Sequence, residues 1–172
     1  MGVINPKAIL RQELKHKRLF INDRPNRSHA ICLKLLELPE WSKVVRIHIY
    51  EAIQSLGEVD ISLFVASLQQ VNPDCLIFTS RKVNKTWQIT GLNKEEYPPN
   101  YTFDVVIVPM LGFDSGLQRL GYGGGYYDRF LSTQPKARKI GVCFEACKVS
   151  TIPYEDHDIK MNIIVTESQV YY

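Results

Sequence analysis

Nothing in this chain is apolar for long enough to cross a bilayer. Its longest hydrophobic stretches, such as Val105 to Phe113, stop far short of the roughly 20 residues a membrane helix needs. Cysteine is also sparse. Cys32, Cys75, Cys143 and Cys147 include no Cys-x-x-Cys pair and no zinc spacing, which argues against a metal ribbon or redox motif and for free thiols. A strong excess of one charge is missing too: the net charge of +3 suits an anionic small molecule and falls well short of a nucleic-acid binder's basic excess. The densest basic run, Lys15-His16-Lys17-Arg18, reads as a solvated helix face. Charge begins by Lys7, so the N-terminus does not read as a signal peptide. A soluble, cytoplasmic protein is expected, without membrane or nucleic-acid partners. Repeats, low-complexity tracts and a convincing Ser-His-Asp or Cys-His constellation are all lacking.

What is present is an ordinary globular composition, 45% hydrophobic and 23% charged, over 172 residues, enough for one domain with a real core. Asn5-Pro6 reads as an N-cap followed by proline at the first helical position, opening a helix to about Phe20. Lys7, Arg11, Lys15 and Arg18 then form one basic stripe, with Leu10 and Leu14 on a neighbouring apolar face. A second helix is expected from about Arg27 to Leu38, stopping at Pro39. Val44 to Tyr50 alternates as a strand, with Val45, Ile47 and Ile49 on one face. Asp60 reads as an N-cap, before Ile61, Phe64, Val65 and Leu68 at helical spacing. Cys75 to Thr79 and Trp87 to Ile89 read as short strands. Val105 to Val108, Ile140 to Phe144 and Ile163 to Val165 read as strands buried on both faces. The Pro98-Pro99-Asn100 stretch reads as a surface loop. Alternating strands and helices predict a single α/β domain over residues 1–172, a mostly parallel sheet with helices on both faces in a Rossmann-like three-layer arrangement.

The most informative segment is Arg119-Leu120-Gly121-Tyr122-Gly123-Gly124-Gly125-Tyr126-Tyr127-Asp128. Four glycines fall within five residues, after a predicted strand and before a predicted helix. Glycine permits positive φ and close approach of the backbone to a ligand, and successive N–H groups at such a turn make a concave anion site. Arg119 offers a cation for phosphate and Asp128 a carboxylate for a metal. Neither standard nucleotide pattern fits: a dinucleotide fingerprint would need glycine at Tyr126, and a Walker A loop would need a lysine that is absent. Asp114 reads as a brace for the loop. Tyr126 and Tyr127 suit core anchors and ligand platforms equally.

Val108-Pro109-Met110-Leu111-Gly112-Phe113-Asp114 followed by Arg119 through Leu131 resembles the signature of the 5-formyltetrahydrofolate cyclo-ligase family. Lys7-x-x-Leu10-Arg11, Glu58-Val59-Asp60 and Asp158 match three further family positions in the right order, so the resemblance spans nearly the whole chain. One departure is Asn162, where the family often carries a second acid. The resemblance implies ATP-driven ring closure of 5-formyltetrahydrofolate, possible in polyglutamylated form, to 5,10-methenyltetrahydrofolate, by an enzyme expected to be monomeric. It implies that Lys7, Ala8, Ile9, Leu10 and Arg11 and the run Arg119, Leu120, Gly121, Tyr122, Gly123, Gly124, Gly125, Tyr126 and Tyr127 bind ATP, with Lys7 and Arg119 catalytic. Arg11, Glu58 and Tyr122 to Tyr126 would face the folate, and Asp128 and Asp158 would hold Mg²⁺. Two other readings stay open: a phosphosugar isomerase or acyl-CoA transferase of similar fold, and a non-catalytic folate- or nucleotide-binding relative.

Overall fold

The structure, a computed structural model, describes residues 5–38, 41–84, 86–93 and 101–172. The expected helix stop at Pro39 and the loop at Pro98-Pro99-Asn100 lie outside the described residues. Among the described residues there are four α-helices: α1 (Pro6–Leu19), α2 (Arg24–Glu37), α3 (Ser62–Val71) and α4 (Tyr126–Ser132). The strands are β1 (Arg46–Ile49), β2 (Leu76–Val83), β3 (Thr86–Gly91), β4 (Val105–Pro109), β5 (Gly112–Phe113), β6 (Arg119–Leu120), β7 (Arg138–Val142), β8 (Ile163–Val165) and β9 (Val170–Tyr171).

Local chemistry accounts for the helix starts. The Asn5 side chain accepts the Lys7 N–H at 3.0 Å, and Pro6 occupies the first turn, where a missing N–H costs nothing. Asp60 Oδ1 accepts the Ser62 N–H at 2.9 Å, so it braces the start of α3 as expected, although Ile61 occupies the cap position. Helix α2 begins earlier than its periodicity suggests, with Pro25 in its first turn.

Among the described residues, seven strands form one sheet in the order β3-β2-β1-β4-β7-β8-β9. The inner five are parallel, and antiparallel β3 and β9 close the two edges. A separate ribbon pairs β5 with β6. Alternation along the strands divides the core in two. Ile47, Ile49, Val105, Ile107, Ile140 and Val142 pack on Ile31 and Leu35 of α2 and Phe64 and Leu68 of α3. Phe78, Val106, Val108 and Ile164 turn to the other face and meet Leu14 of α1 with Phe130 and Leu131 of α4. The fold is therefore the expected α/β arrangement with helices on both faces. All four cysteines are buried free thiols.

Strand β1 departs from its expected half-buried pattern. It starts at Arg46, Val45 is 53% exposed, and His48 between the two isoleucines is fully buried. A central strand has two buried faces, so here a polar residue between apolar ones does not mark a solvated side.

Phe64 is fully buried and meets the Trp41 ring edge-on at 4.9 Å. Phe64→Ala is expected to lower unfolding free energy by roughly 3–5 kcal/mol. Urea denaturation will show this as a lower midpoint with an unchanged slope.

Candidate functional site

A cleft of about 870 Å³ opens where β1, β2 and β4 end. Its lining includes Tyr50 and Glu51 just past β1, Ser80 to Lys82 in the last half of β2, and Pro109 at the end of β4. Chain order reverses between β1 and β4, since β2 lies on one side of β1 and β4 on the other. Open α/β sheets bind ligands at this switch point, because the loops diverge there and leave a crevice. A second cavity of about 180 Å³, lined by Val44, Asp104 and Arg138 among others, lies by the opposite strand ends and is small for a ligand.

The glycine loop supplies much of the lining, and every residue from Arg119 to Asp128 contributes. Its base is set by the β5–β6 ribbon and by Asp114, whose Oδ1 accepts from Gly116 and Gln118 and whose Oδ2 accepts from Ile152. Arg11 Nε donates to the Gly121 carbonyl at 3.0 Å, and Arg129 Nη2 to the Gly124 carbonyl at 3.0 Å. Across a trans peptide the N–H points opposite to the carbonyl, so the N–H groups of Tyr122 and Gly125 turn away from these arginines. Gly123 and Gly125 have φ of +95° and +62°, and a Cβ on either would stand against Arg11 or Arg129. Their lack of side chains lets the guanidinium groups close over the loop.

Helix α1 contributes Lys7 and Arg11 to the cleft. Ala8 and Ile9 are exposed and Leu10 packs on the core, so these three do not line it. Lys7, only 7% exposed, pairs with Asp158 and, at 3.1 Å, with Glu155. Burial pulls the Lys7 ammonium down, but the bonds to Asp158 and Glu155 outweigh it and raise it above its ordinary value. Burial acts upward on Asp158, and the bonds from Lys7 and the Glu155 N–H hold it below its ordinary value. Arg119 pairs with Asp128, which also accepts the Ile159 N–H at 3.2 Å. Thus the two carboxylates expected to hold a metal each sit against a cation expected to meet phosphate. Among the described residues Arg11 and Arg129 make no ion pair, and no group of three or more His, Cys, Asp or Glu could cage a metal. Both bonds to each aspartate fall on one oxygen, Oδ1 of Asp128 and Oδ2 of Asp158. Such a pair suits a hard ion that arrives with phosphate and water ligands, not one held by protein alone. Asn162 is engaged elsewhere, accepting the Lys139 N–H at 2.8 Å.

The facing wall carries aromatic rings and a buried carboxylate. Glu58, 7% exposed, accepts the Ile53 N–H on Oε2 at 2.8 Å and the Tyr122 hydroxyl on Oε1 at 2.5 Å. Trp87 from β3 stacks on Tyr126 at 4.3 Å. Tyr50 donates to the Val59 carbonyl at 2.6 Å. Burial pushes the Tyr50 and Tyr127 phenols well up, so both stay protonated.

Sequence reasoning missed Tyr50, Ser80 and Trp87; Tyr50 and Trp87 lie by strand ends and Ser80 within β2, and no local motif marks them. It also misread Arg18. Expected on a solvated face, Arg18 is 2% exposed and donates to Tyr122 and to the Met110 carbonyl at 3.4 Å. Lys15 is exposed as expected. The buried residues of α1 are Lys7, Leu14 and Arg18, so much of the basic stripe faces inward.

Behind the aromatic wall, His48 Nε2 lies 2.7 Å from Ser80 Oγ, which is hydrogen-bonded to the Tyr126 hydroxyl. Burial lowers His48 to about 3, so it is neutral at working pH. The folded chain thus resists taking up a proton that the unfolded chain binds below its ordinary 6.5. From pH 6.5 toward 3 this group should remove about 1.4 kcal/mol of stability per pH unit. Comparing acid denaturation of the wild type with His48→Gln checks this, since the variant should lose stability less steeply over that window.

The family model of the 5-formyltetrahydrofolate cyclo-ligase family matches residues 78–167. The chain is 30% identical over 194 residues to a probable 5-formyltetrahydrofolate cyclo-ligase of Caenorhabditis elegans, covering 95% of this chain and 93% of that protein. It is 28% identical over 196 residues to a probable enzyme of the same name from Schizosaccharomyces pombe, covering 95% and 94%. Among solved structures, the 5,10-methenyltetrahydrofolate synthetase of Mycoplasma pneumoniae shares the fold, with a TM-score of 0.81 at 24% identity over 95% of this chain and 99% of that one. That of Aquifex aeolicus gives 0.79 at 26% identity, covering 96% and 91%.

Proposed function

This chain belongs to the 5-formyltetrahydrofolate cyclo-ligase family, and on that premise we propose that it converts 5-formyltetrahydrofolate and ATP to 5,10-methenyltetrahydrofolate, ADP and phosphate. The observation that carries this reading is the two-sided cleft. An arginine-clamped glycine loop with two enclosed cations lines one side of a space whose other side holds aromatic rings and a buried carboxylate. Two dissimilar ligands, one anionic and one ring-shaped with N–H donors, suit such a cleft. Residues 1–172 would act as one unit.

In the reaction the formyl oxygen attacks the γ-phosphorus and the bond to the β-phosphate oxygen breaks. N10 then attacks the formyl carbon and gives up its proton, and phosphate leaves with the formyl oxygen. The protein's share is orientation and charge neutralisation, as in phosphoryl transfer generally. Lys7 and Arg119 neutralise the transferred group, Arg11 serves both ligands, and the N–H groups of residues 119–127 wrap the triphosphate. Glu58 accepts N–H donors of the pterin beside Tyr122 and Tyr126. Asp128 and Asp158 would hold Mg²⁺, which when bound supplies neutralisation of the phosphate oxygens. Tyr50, Tyr122 and Tyr127, kept protonated by burial, act as hydrogen-bond partners and not as bases.

A spectrophotometric assay for the near-ultraviolet band of the methenyl product, with 5-formyltetrahydrofolate, ATP and Mg²⁺, tests the reading. Product should require both ATP and the metal, and its absence with folded protein would refute the reading. Lys7 and Arg119 are enclosed by their carboxylate partners, so alanine there would strand a buried charge. Lys7→Gln and Arg119→Gln are the better variants. Each should lower kcat by roughly 100-fold or more while circular dichroism remains native.

A further inference from the structure

Arg18 is a costly residue at its position. Its side chain is buried on α1, far along the chain from the cleft segments it touches. Among the described residues it meets only neutral acceptors, the Met110 carbonyl and the Tyr122 hydroxyl, and its Nε has no hydrogen-bond partner there. A buried guanidinium with an orphaned donor is a poor way to stabilise a helix contact, since an apolar side chain of similar volume would serve as well or better. The guanidinium also stands over the Tyr122 ring, 5.2 Å from its centre.

The proton inventory gives this arrangement a direction. Arginine has donors only, so the Tyr122 oxygen must accept from Arg18. The hydroxyl hydrogen is then left to point at Glu58 Oε1, 2.5 Å away. Glu58 Oε2 is held in turn by the Ile53 N–H at 2.8 Å. Each carboxylate oxygen is thus anchored once and keeps further acceptor capacity. The positive charge of Arg18 sits one hydroxyl away from the negative charge of Glu58. Tyr122 belongs to the glycine loop, so the chain also ties that loop to the facing wall.

From this geometry we infer that Arg18 is a positioning residue for the folate side of the cleft. Acting through Tyr122, it fixes the direction in which the Glu58 carboxylate presents itself to the substrate's N–H donors. The inference rests on the proposed cyclo-ligase reading. It adds a residue that does not touch substrate and lies outside the Lys7–Arg11 and Arg119–Leu131 motifs.

The test uses the full chain as wild type, Arg18→Met, Tyr122→Phe and the double variant, with KM for 5-formyltetrahydrofolate and for ATP measured separately. Each single variant should raise the folate KM roughly tenfold and leave the ATP KM within about twofold. The double variant should be no worse than the poorer single one, because both changes cut the same link. Arg18→Lys keeps the charge and one donor toward Tyr122, and should recover part of the folate KM lost in Arg18→Met. Equal effects on both KM values, additive effects in the double variant, or lower thermal stability with unchanged folate KM would each overturn the inference and leave Arg18 merely structural. A wild type that makes no methenyl product would instead overturn the cyclo-ligase reading. In that case a ligand-free cycle of Arg18→Met against Glu58→Gln in denaturation still decides the linkage. The two should be non-additive in the wild-type background and additive in the Tyr122→Phe background, and additivity in both would refute the link.

Discussion

The docking of α1 by a cationic face is the constraint on which the cleft depends. Lys7 reaches Asp158, Arg11 the Gly121 carbonyl, and Arg18 the Met110 carbonyl and Tyr122. Leu14 is the one fully buried apolar side chain on the helix. Apolar packing is non-directional and would let α1 slide, whereas three guanidinium or ammonium groups with defined acceptors fix its register against the loops. Gly112 contributes by omission: a Cβ there would meet Leu14 and the Cys147 carbonyl. The same contacts that attach the helix therefore also shape the glycine-loop side of the cleft, so attachment and cleft geometry are coupled.

That coupling explains the unusual electrostatics. Cations and carboxylates in the cleft neutralise each other pairwise, with Lys7 on Asp158 and Arg119 on Asp128. A cluster of unpaired like charges would weaken the fold through repulsion, and a buried lone charge would cost more. Pairing them keeps the cleft close to neutral while leaving Arg11 and Arg129 on the glycine loop without an ion pair among the described residues. On the proposed reading, a polyanion would meet groups already oriented, and its binding would mainly exchange their partners.

The parts of the fold that were legible in the chain are those where pattern and environment agree. The continuous apolar run at β4, the helical spacing in α3 and the glycine cluster each leave one physical interpretation, and the fold and loop follow from them. The misreadings arise where tertiary context overrides a local rule. Arg18 is charged yet buried because its partners come from residues about a hundred positions away, and no local window holds them. His48 breaks the apolar pattern of β1 because its partner, Ser80, is supplied by the neighbouring strand. Strand β9 and the β5–β6 ribbon are two residues per strand, too short for any periodicity to register. In the candidate site, the whole run from Arg119 to Asp128 lines the cleft. Ala8, Ile9 and Leu10, which the family resemblance implies beside Lys7 and Arg11, do not line the cleft: Ala8 and Ile9 are exposed, and Leu10 packs on the core.

The β2–β3 hairpin gives the two sides of the cleft unequal stiffness. Residues 81 to 84 and Trp87 are exposed, and β3 is paired on one side only, at the sheet edge. The opposite side rests on buried ion pairs and on a helix locked at three points. Local opening costs least where backbone hydrogen bonds are exposed and few apolar contacts are lost. Opening the flank that carries Trp87 is therefore expected to cost less than opening the flank where Lys7–Asp158 and Arg119–Asp128 must separate. On the proposed reading, a ring-shaped ligand would press against this exposed ribbon, while the anion would meet the flank held by ion pairs.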